Sequence, residues 1–185
     1  MKQALVLVDI QNDYFPGGKM ELTGAVEASR ATKKIVEHFR HRNLPVLHIQ
    51  HLSIRPGAAF FLPDTEGINF HESVLPLFDE TVIRKHFPNS FRETILREYL
   101  ISGGITGLVI CGMMSHMCVD ATVRAAFDMG YSCIVAHDAC ATRDLLFNGA
   151  AIPSEYVHNA FMAALSTLYA RTMSAGEIIA SLSDA

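Results

Sequence analysis

Three side chains with complementary chemistry stand at the ends of three apolar or β-branched runs. Asp9 follows ALVLV, Lys85 ends TVIRK, and Cys118 comes just past GLVICG. A thiol is nucleophilic as its thiolate. A carboxylate near the apolar interior can take the thiol proton, and an ammonium can steady the charges that result. Cys118 also sits where a helical pattern begins, and a helix N-terminus favours an anion through the backbone dipole. Each residue alone has a plainer reading. A strand-end aspartate caps a turn, a lone lysine has no chemical role, and a helix cysteine packs. Order along the chain does not prove that the three meet, but reactive groups of open α/β sheets gather just beyond the carboxyl ends of strands.

The elements that would position them alternate between short β-branched runs and longer helical patterns. That alternation argues for βαβ units and a parallel sheet. ALVLVDI (4–10) is continuously apolar, as a strand buried on both faces should be. A helix is expected from about Val26 to Arg42, followed by the strand VLHIQ (46–50). TVIRK (81–85), GLVICG (107–112) and SCIVAHDA (132–139) are further strands. The spacing predicts helices over 92–102, 115–130 and 155–170, with a short final strand and helix. Residues 52–80, interrupted by Pro56, Pro63 and Pro76, show weak periodicity and read as a functional loop. No repeat or linker divides the 185 residues, so a single domain over 1–185 is expected.

A formal net charge of −4 argues against a general nucleic-acid binder, which needs a basic face. No apolar stretch reaches the length of a membrane span. The apolar start of the chain runs at once into Asp9 and Asp13 without a small-residue cleavage site, so it reads as a strand rather than a signal peptide. A cytoplasmic location follows as the expectation. Cys111, Cys118, Cys133 and Cys140 form no C-x-x-C pair and no zinc-like cluster. Three of them fall in or beside strand runs, where cysteine acts as a small hydrophobe.

Four stretches carry a resemblance to a known family: LVLVDIQNDYFPGG (5–18), VIRKHFPNSF (82–91), LVICGMMSHMCVDATVRAAFDMGY (108–131) and VAHDACATRD (135–144). The sequence resembles the isochorismatase-like cysteine hydrolases, a superfamily that includes nicotinamidases and N-carbamoylsarcosine amidases. The resemblance implies a three-layer α/β/α fold with a central, mainly parallel sheet. It also implies an Asp9–Lys85–Cys118 triad, in which the cysteine attacks a carbonyl carbon, the aspartate carries the proton and the lysine stabilises the charges. By alignment a non-proline cis peptide would join Met113 to Met114, and the N–H groups of Met114 and Cys118 would form an oxyanion hole. Homo-oligomers that share loops at the active site are a further implication, with the apolar segment 160–168 as a candidate surface.

The substrate pocket should be lined by the middle loop and the nucleophile turn. Phe15, Phe60, Phe61, Phe87, Met113 and Met114 are apolar candidates, Gln11 and His116 polar ones, and Arg55 could hold a carboxylate. For the phenylalanines, burial in the core is an equally good reading. Asp13 can cap the turn before Pro16-Gly17-Gly18. Nicotinamidases of the superfamily hold a metal with an Asp-x-His pair after the second strand. HIQHLS has no aspartate there, so neither metal nor cofactor is expected, with His48 a core residue and His71 a loop residue. Several members that cleave the vinyl ether of isochorismate lack the cysteine, so Cys118 favours hydrolysis of a C–N bond in a small molecule: amide, ureide or lactam. An isochorismatase-type reaction, a redox-sensing thiol and a non-catalytic binding subunit are the alternatives.

Overall fold

A computed structural model describes residues 2–183. The central sheet is built from β1 (Gln3–Val8), β2 (Val46–His51), β3 (Thr81–Lys85), β4 (Gly107–Met113), β5 (Ser132–Ala141) and β8 (Arg171–Met173). Its order is β3-β2-β1-β4-β5-β8, and every neighbouring pair is parallel. Every residue of β4, and every residue of β1 after Gln3, is buried. This is why their sequences are unbroken apolar runs rather than alternating ones.

The strand order reverses direction between β1 and β4. From β1 the chain steps outward to β2 and β3, then from β4 it steps the other way to β5 and β8. Right-handed crossovers therefore put α1 (Ala25–His41) on one face, and α3 (Asp120–Asp128) and α4 (Ser154–Leu168) on the other. The last helix, α5 (Ala175–Ser183), returns to pack against α1. Ala25, Ala28, Thr32, Ile35, Val36 and Phe39 form the buried stripe of α1, at the three- and four-residue spacing of a helix face. The expected three-layer α/β/α arrangement is the one observed. Among the described residues no helix is long and apolar enough to cross a membrane.

Three elements differ from the sequence reading. The helix expected over 92–102 is shorter: α2 spans Leu96–Ser102, because Glu93 adopts φ 57° and Thr94 bonds its hydroxyl to the Ser90 carbonyl at 2.6 Å. The helix expected over 115–130 is split into a five-residue π-helical turn, Ser115–Val119, and α3. A hairpin, β6 (Leu145–Phe147) and β7 (Ala150–Ile152), occupies a stretch where the sequence pattern predicts no element. In the segment 160–168, Met162 and Leu165 face the core, whereas Ala163, Ala164 and Leu168 are exposed.

The switch between β1 and β4 is tight. Gly112, at φ 126°, pairs with Val8, and a Cβ there would run into the Val8 carbonyl. Only glycine lets the two strands approach in this way. The strand end that carries Asp9 thereby lies beside the one that leads to Cys118.

Candidate active site

Asp9 leaves β1 with φ 51°, in the left-handed region that aspartate tolerates better than most residues. Its carboxylate is fully buried. Lys85, the last residue of β3, reaches it across the sheet: the ammonium donates to Asp9 Oδ2 at 2.7 Å. The same ammonium donates to the Phe87 carbonyl at 3.2 Å and meets His51 Nδ1 at 3.0 Å. An ammonium has three donors and no acceptor, so all three are used. Burial works against the Lys85 charge, but the Asp9 carboxylate, with help from Cys118, outweighs it and keeps the pKa above its ordinary value. Asp9 Oδ1, by contrast, is buried without a hydrogen-bond partner among the described residues.

Cys118 stands in the π-helical turn. The Met114 carbonyl accepts from the N–H groups of both Met117 (3.0 Å) and Val119 (3.3 Å), and the Met113–Met114 peptide before it is cis. The turn is clamped from behind. Ser115 Oγ lies 3.3 Å from the Ala141 carbonyl and 2.9 Å from His158 Nδ1, and His116 Nδ1 lies 2.6 Å from Thr142 Oγ1. Thr122 on α3 accepts from the Ser90 N–H at 3.1 Å, tying the nucleophile helix to the segment after β3. A carboxylate oxygen of Asp9, a ring nitrogen of His51 and the sulfur of Cys118 lie within 4.8 Å of one another. The positive charge at this cluster is the Lys85 ammonium. Burial and the Asp9 carboxylate push the Cys118 thiol up, against the pull of Lys85. The direction is set by burial and by the Asp9 carboxylate, and it runs against the anion-favouring effect of a helix N-terminus.

The sulfur opens onto a cavity of about 470 Å³. Phe60, Phe61, Phe87, Met114 and Met117 are apolar groups on its wall, and Arg55 is a charged one. Arg55 is exposed and makes no ion pair among the described residues. Asp13 shapes the wall: its carboxylate accepts from the Phe61 N–H at 2.6 Å and the Lys19 N–H at 3.1 Å. Gly67 packs so closely on that carboxylate that a Cβ would collide with it.

Of the pocket residues expected from sequence, Arg55, Phe60, Phe61, Phe87 and Met114 line this cavity and four others do not. Gln11 is fully buried, and its amide is spent on the backbone. It donates to the His51 carbonyl (3.0 Å) and the Ile68 carbonyl (2.9 Å), and accepts from the His51 N–H (2.7 Å). Phe15 lies on another surface, where its ring stacks on His71 with centroids 3.6 Å apart. The Met113 side chain is buried within β4, and only its backbone joins the nucleophile turn. His116 points toward Thr142 and the edge of Phe161, not the pocket mouth. His48 is buried with Nε2 2.8 Å from Glu80 Oε2, and His71 takes the Ser73 N–H as the cap of a short turn.

Two groups were missed. His51, the second histidine of HIQHLS and given no role in the sequence reading, ends β2 in register with Lys85. Tyr14 is buried beside Phe61, with its ring on the cavity wall. The signal for His51 was the one used for Asp9 and Lys85, a polar residue closing an apolar strand.

A family model described as the isochorismatase domain matches residues 3–177. The isochorismatase family protein YddQ of Bacillus subtilis (strain 168) is 54% identical over 170 residues, covering 92% of this chain and 94% of that protein. A streptothricin hydrolase of Streptomyces noursei is 36% identical over 143 residues, covering 77% and 56%. A crystal structure from Oleispira antarctica that bears the isochorismatase name superposes with a TM-score of 0.93 at 49% identity, over 97% of this chain and 96% of that one. The N-carbamoylsarcosine amidase of Thermoplasma acidophilum superposes with a TM-score of 0.80 at 25% identity, over 95% and 97%. On this evidence the chain belongs to the isochorismatase family of hydrolases.

Proposed function

We propose that the protein is a cysteine-dependent hydrolase that cleaves the C–N bond of a small amide, ureide or lactam through a thioester. The observation that carries this reading is the buried Asp9–Lys85 pair. One carboxylate oxygen is held by the ammonium and the other is left without a partner beside the Cys118 thiol. A buried acceptor without a partner is uncommon, and here a proton can arrive from sulfur. The names of two relatives, an N-carbamoylsarcosine amidase and a streptothricin hydrolase, support a reaction of this class.

In the proposed sequence, the thiol proton passes to Asp9 Oδ1 as sulfur adds to the substrate carbonyl. The resulting oxyanion accepts from the N–H groups of Met114 and Cys118. Asp9 returns the proton to the departing nitrogen, the C–N bond breaks and a thioester remains. Water then gives a proton to Asp9 and adds to the thioester. Collapse releases the acid, and the sulfur takes the proton back. Lys85 keeps its charge throughout and holds the Asp9 carboxylate in place. The apolar wall suits a small, flat substrate, and Arg55, lacking an ion pair, offers a carboxylate partner at the pocket.

A redox-sensing role is disfavoured by the same electrostatics. A sensor thiol is accessible and of low pKa, whereas Cys118 is buried and its pKa is raised. The test of the proposed reaction is an ammonia- and amine-release assay over primary amides, carbamoyl amino acids, ureides and lactams. Release with at least one of these classes is expected. Alkylation of Cys118 by iodoacetamide without turnover of any class would favour the sensor.

A further inference from the structure

Two donors on the cavity wall have no partner among the described residues. The Tyr14 ring is wedged against Phe60 and Phe61, with centroids 5.8 and 4.6 Å away, and the residue is 1% exposed. Its hydroxyl makes no hydrogen bond among the described residues. A buried tyrosine hydroxyl usually finds a partner, and this residue lines the same cavity as Cys118.

The second donor follows from the tautomer of His51. The Lys85 ammonium can only donate, so His51 Nδ1, 3.0 Å away, must be the acceptor. The ring proton then lies on Nε2, which makes no hydrogen bond among the described residues. The Gln11 amide grips the His51 backbone on both its N–H and its carbonyl, so the ring is held on a fixed strand end. Both residues pack on Phe61, and Asp13 anchors the N–H of that residue. Tyr14 and His51 belong to the turn and strand end that also carry Asp9 and face Lys85.

We propose that the Tyr14 hydroxyl and the His51 Nε2–H form a polar subsite beside the nucleophile that takes a hydrogen-bond acceptor of the substrate other than the carbonyl under attack. The proposal rests on the hydrolase reading above, in which the oxyanion is served by backbone N–H groups. It narrows the substrate to compounds whose scissile carbonyl is accompanied by a second acceptor, a carbonyl oxygen or a ring nitrogen, on an otherwise apolar body. A simple lactam or aryl amide would leave both donors dry, and such a site discriminates strongly against ligands that cannot pair its polar groups.

The test uses matched probes as protectants of Cys118 against iodoacetamide, with labelling followed by mass spectrometry. Phthalimide is paired with isoindolinone to test a second carbonyl, and nicotinamide with benzamide to test a ring nitrogen. In the wild-type protein the acceptor-bearing member of at least one pair should protect at about tenfold lower concentration. Which pair responds identifies the acceptor. Tyr14→Phe keeps the ring, so its melting temperature should match the wild type, and it should abolish that difference. Equal protection by both members, no protection by any, or a Tyr14→Phe loss shared equally by both members would overturn the subsite. The hydrolase reading fails separately, if the release assay gives the same rate with Cys118→Ala.

Discussion

The Lys85 ammonium lies 2.7 Å from Asp9 Oδ2 with both side chains fully buried, while Asp9 Oδ1 is left without a partner. In the proposed reaction the pair separates two tasks on one carboxylate. One oxygen anchors the charge and the other is free for a proton.

Removing the lysine leaves a buried, uncompensated carboxylate. Lys85→Met should therefore destabilise the protein by about 3–5 kcal/mol, the usual result of breaking a buried pair on one side. Cys118→Ala, which removes a small group facing a cavity, should cost about 1 kcal/mol. Urea unfolding of the two variants checks the contrast, and equal losses would mean that the pair does not support the fold.

Asp9→Asn should separate thiol reactivity from turnover. The carboxylate pushes the Cys118 thiol up, second only to burial, and Lys85 pulls it down. Without the carboxylate the thiolate gains, and iodoacetamide should label Cys118 faster at neutral pH. Hydrolysis should nevertheless fall about 10²–10⁴-fold, because the proton carrier is gone. If labelling and turnover fall together, Asp9 does more to activate the resting thiol than to move its proton.

How much of this was open to the sequence depends on what each residue's neighbours decide. Asp9, Lys85 and the strand before Cys118 could be placed because an apolar run and the polar residue that closes it are local features. The Asn148-Gly149 pair is equally local, yet the sequence reading passes over it. With φ 50° and 78° it turns the β6–β7 hairpin, and Asn-Gly between strand-like residues is a strong hairpin signal. Gln11, Phe15 and His116 could not be placed, because their partners are 40, 56 and 26 residues away: the His51 backbone, the His71 ring and the Thr142 hydroxyl. The break between the π-helical turn and α3 was hidden for the same reason, since Ser115 takes its partners from β5 and α4.

Arg55 gives a prediction about charge. Arg55→Ala should raise KM about fivefold for amides that carry a carboxylate and leave neutral amides of similar size unchanged, the scale of an exposed ion pair. Raising the salt concentration should shrink the wild-type preference in the same direction. KM values for such a matched pair, with and without salt, decide the matter, and an equal change for both substrates would remove Arg55 from recognition.

Acid should weaken the fold before it reaches the carboxylates. Burial brings His51 down to about 4, with Lys85 among the charges that add to the effect, and burial also lowers His48, His71, His116 and His158. An unfolded chain binds protons on these histidines from about pH 6.5 downward, while the folded one does not until lower pH. The stability they contribute is complete above about pH 6.5 and is lost as pH falls toward 4. Denaturant midpoints at pH 7.5 and 5 should show a clear drop, and a flat profile over that interval would contradict the lowered pKa values of these buried and half-buried histidines.

The most direct measurement of the central claim is the steady-state hydrolysis of an accepted amide or ureide by Cys118→Ala beside the wild-type protein. The account predicts that release of the nitrogen product falls to the uncatalysed rate while the variant stays folded and still binds the substrate. Release at the wild-type rate would contradict it, because Cys118 could then not be the nucleophile.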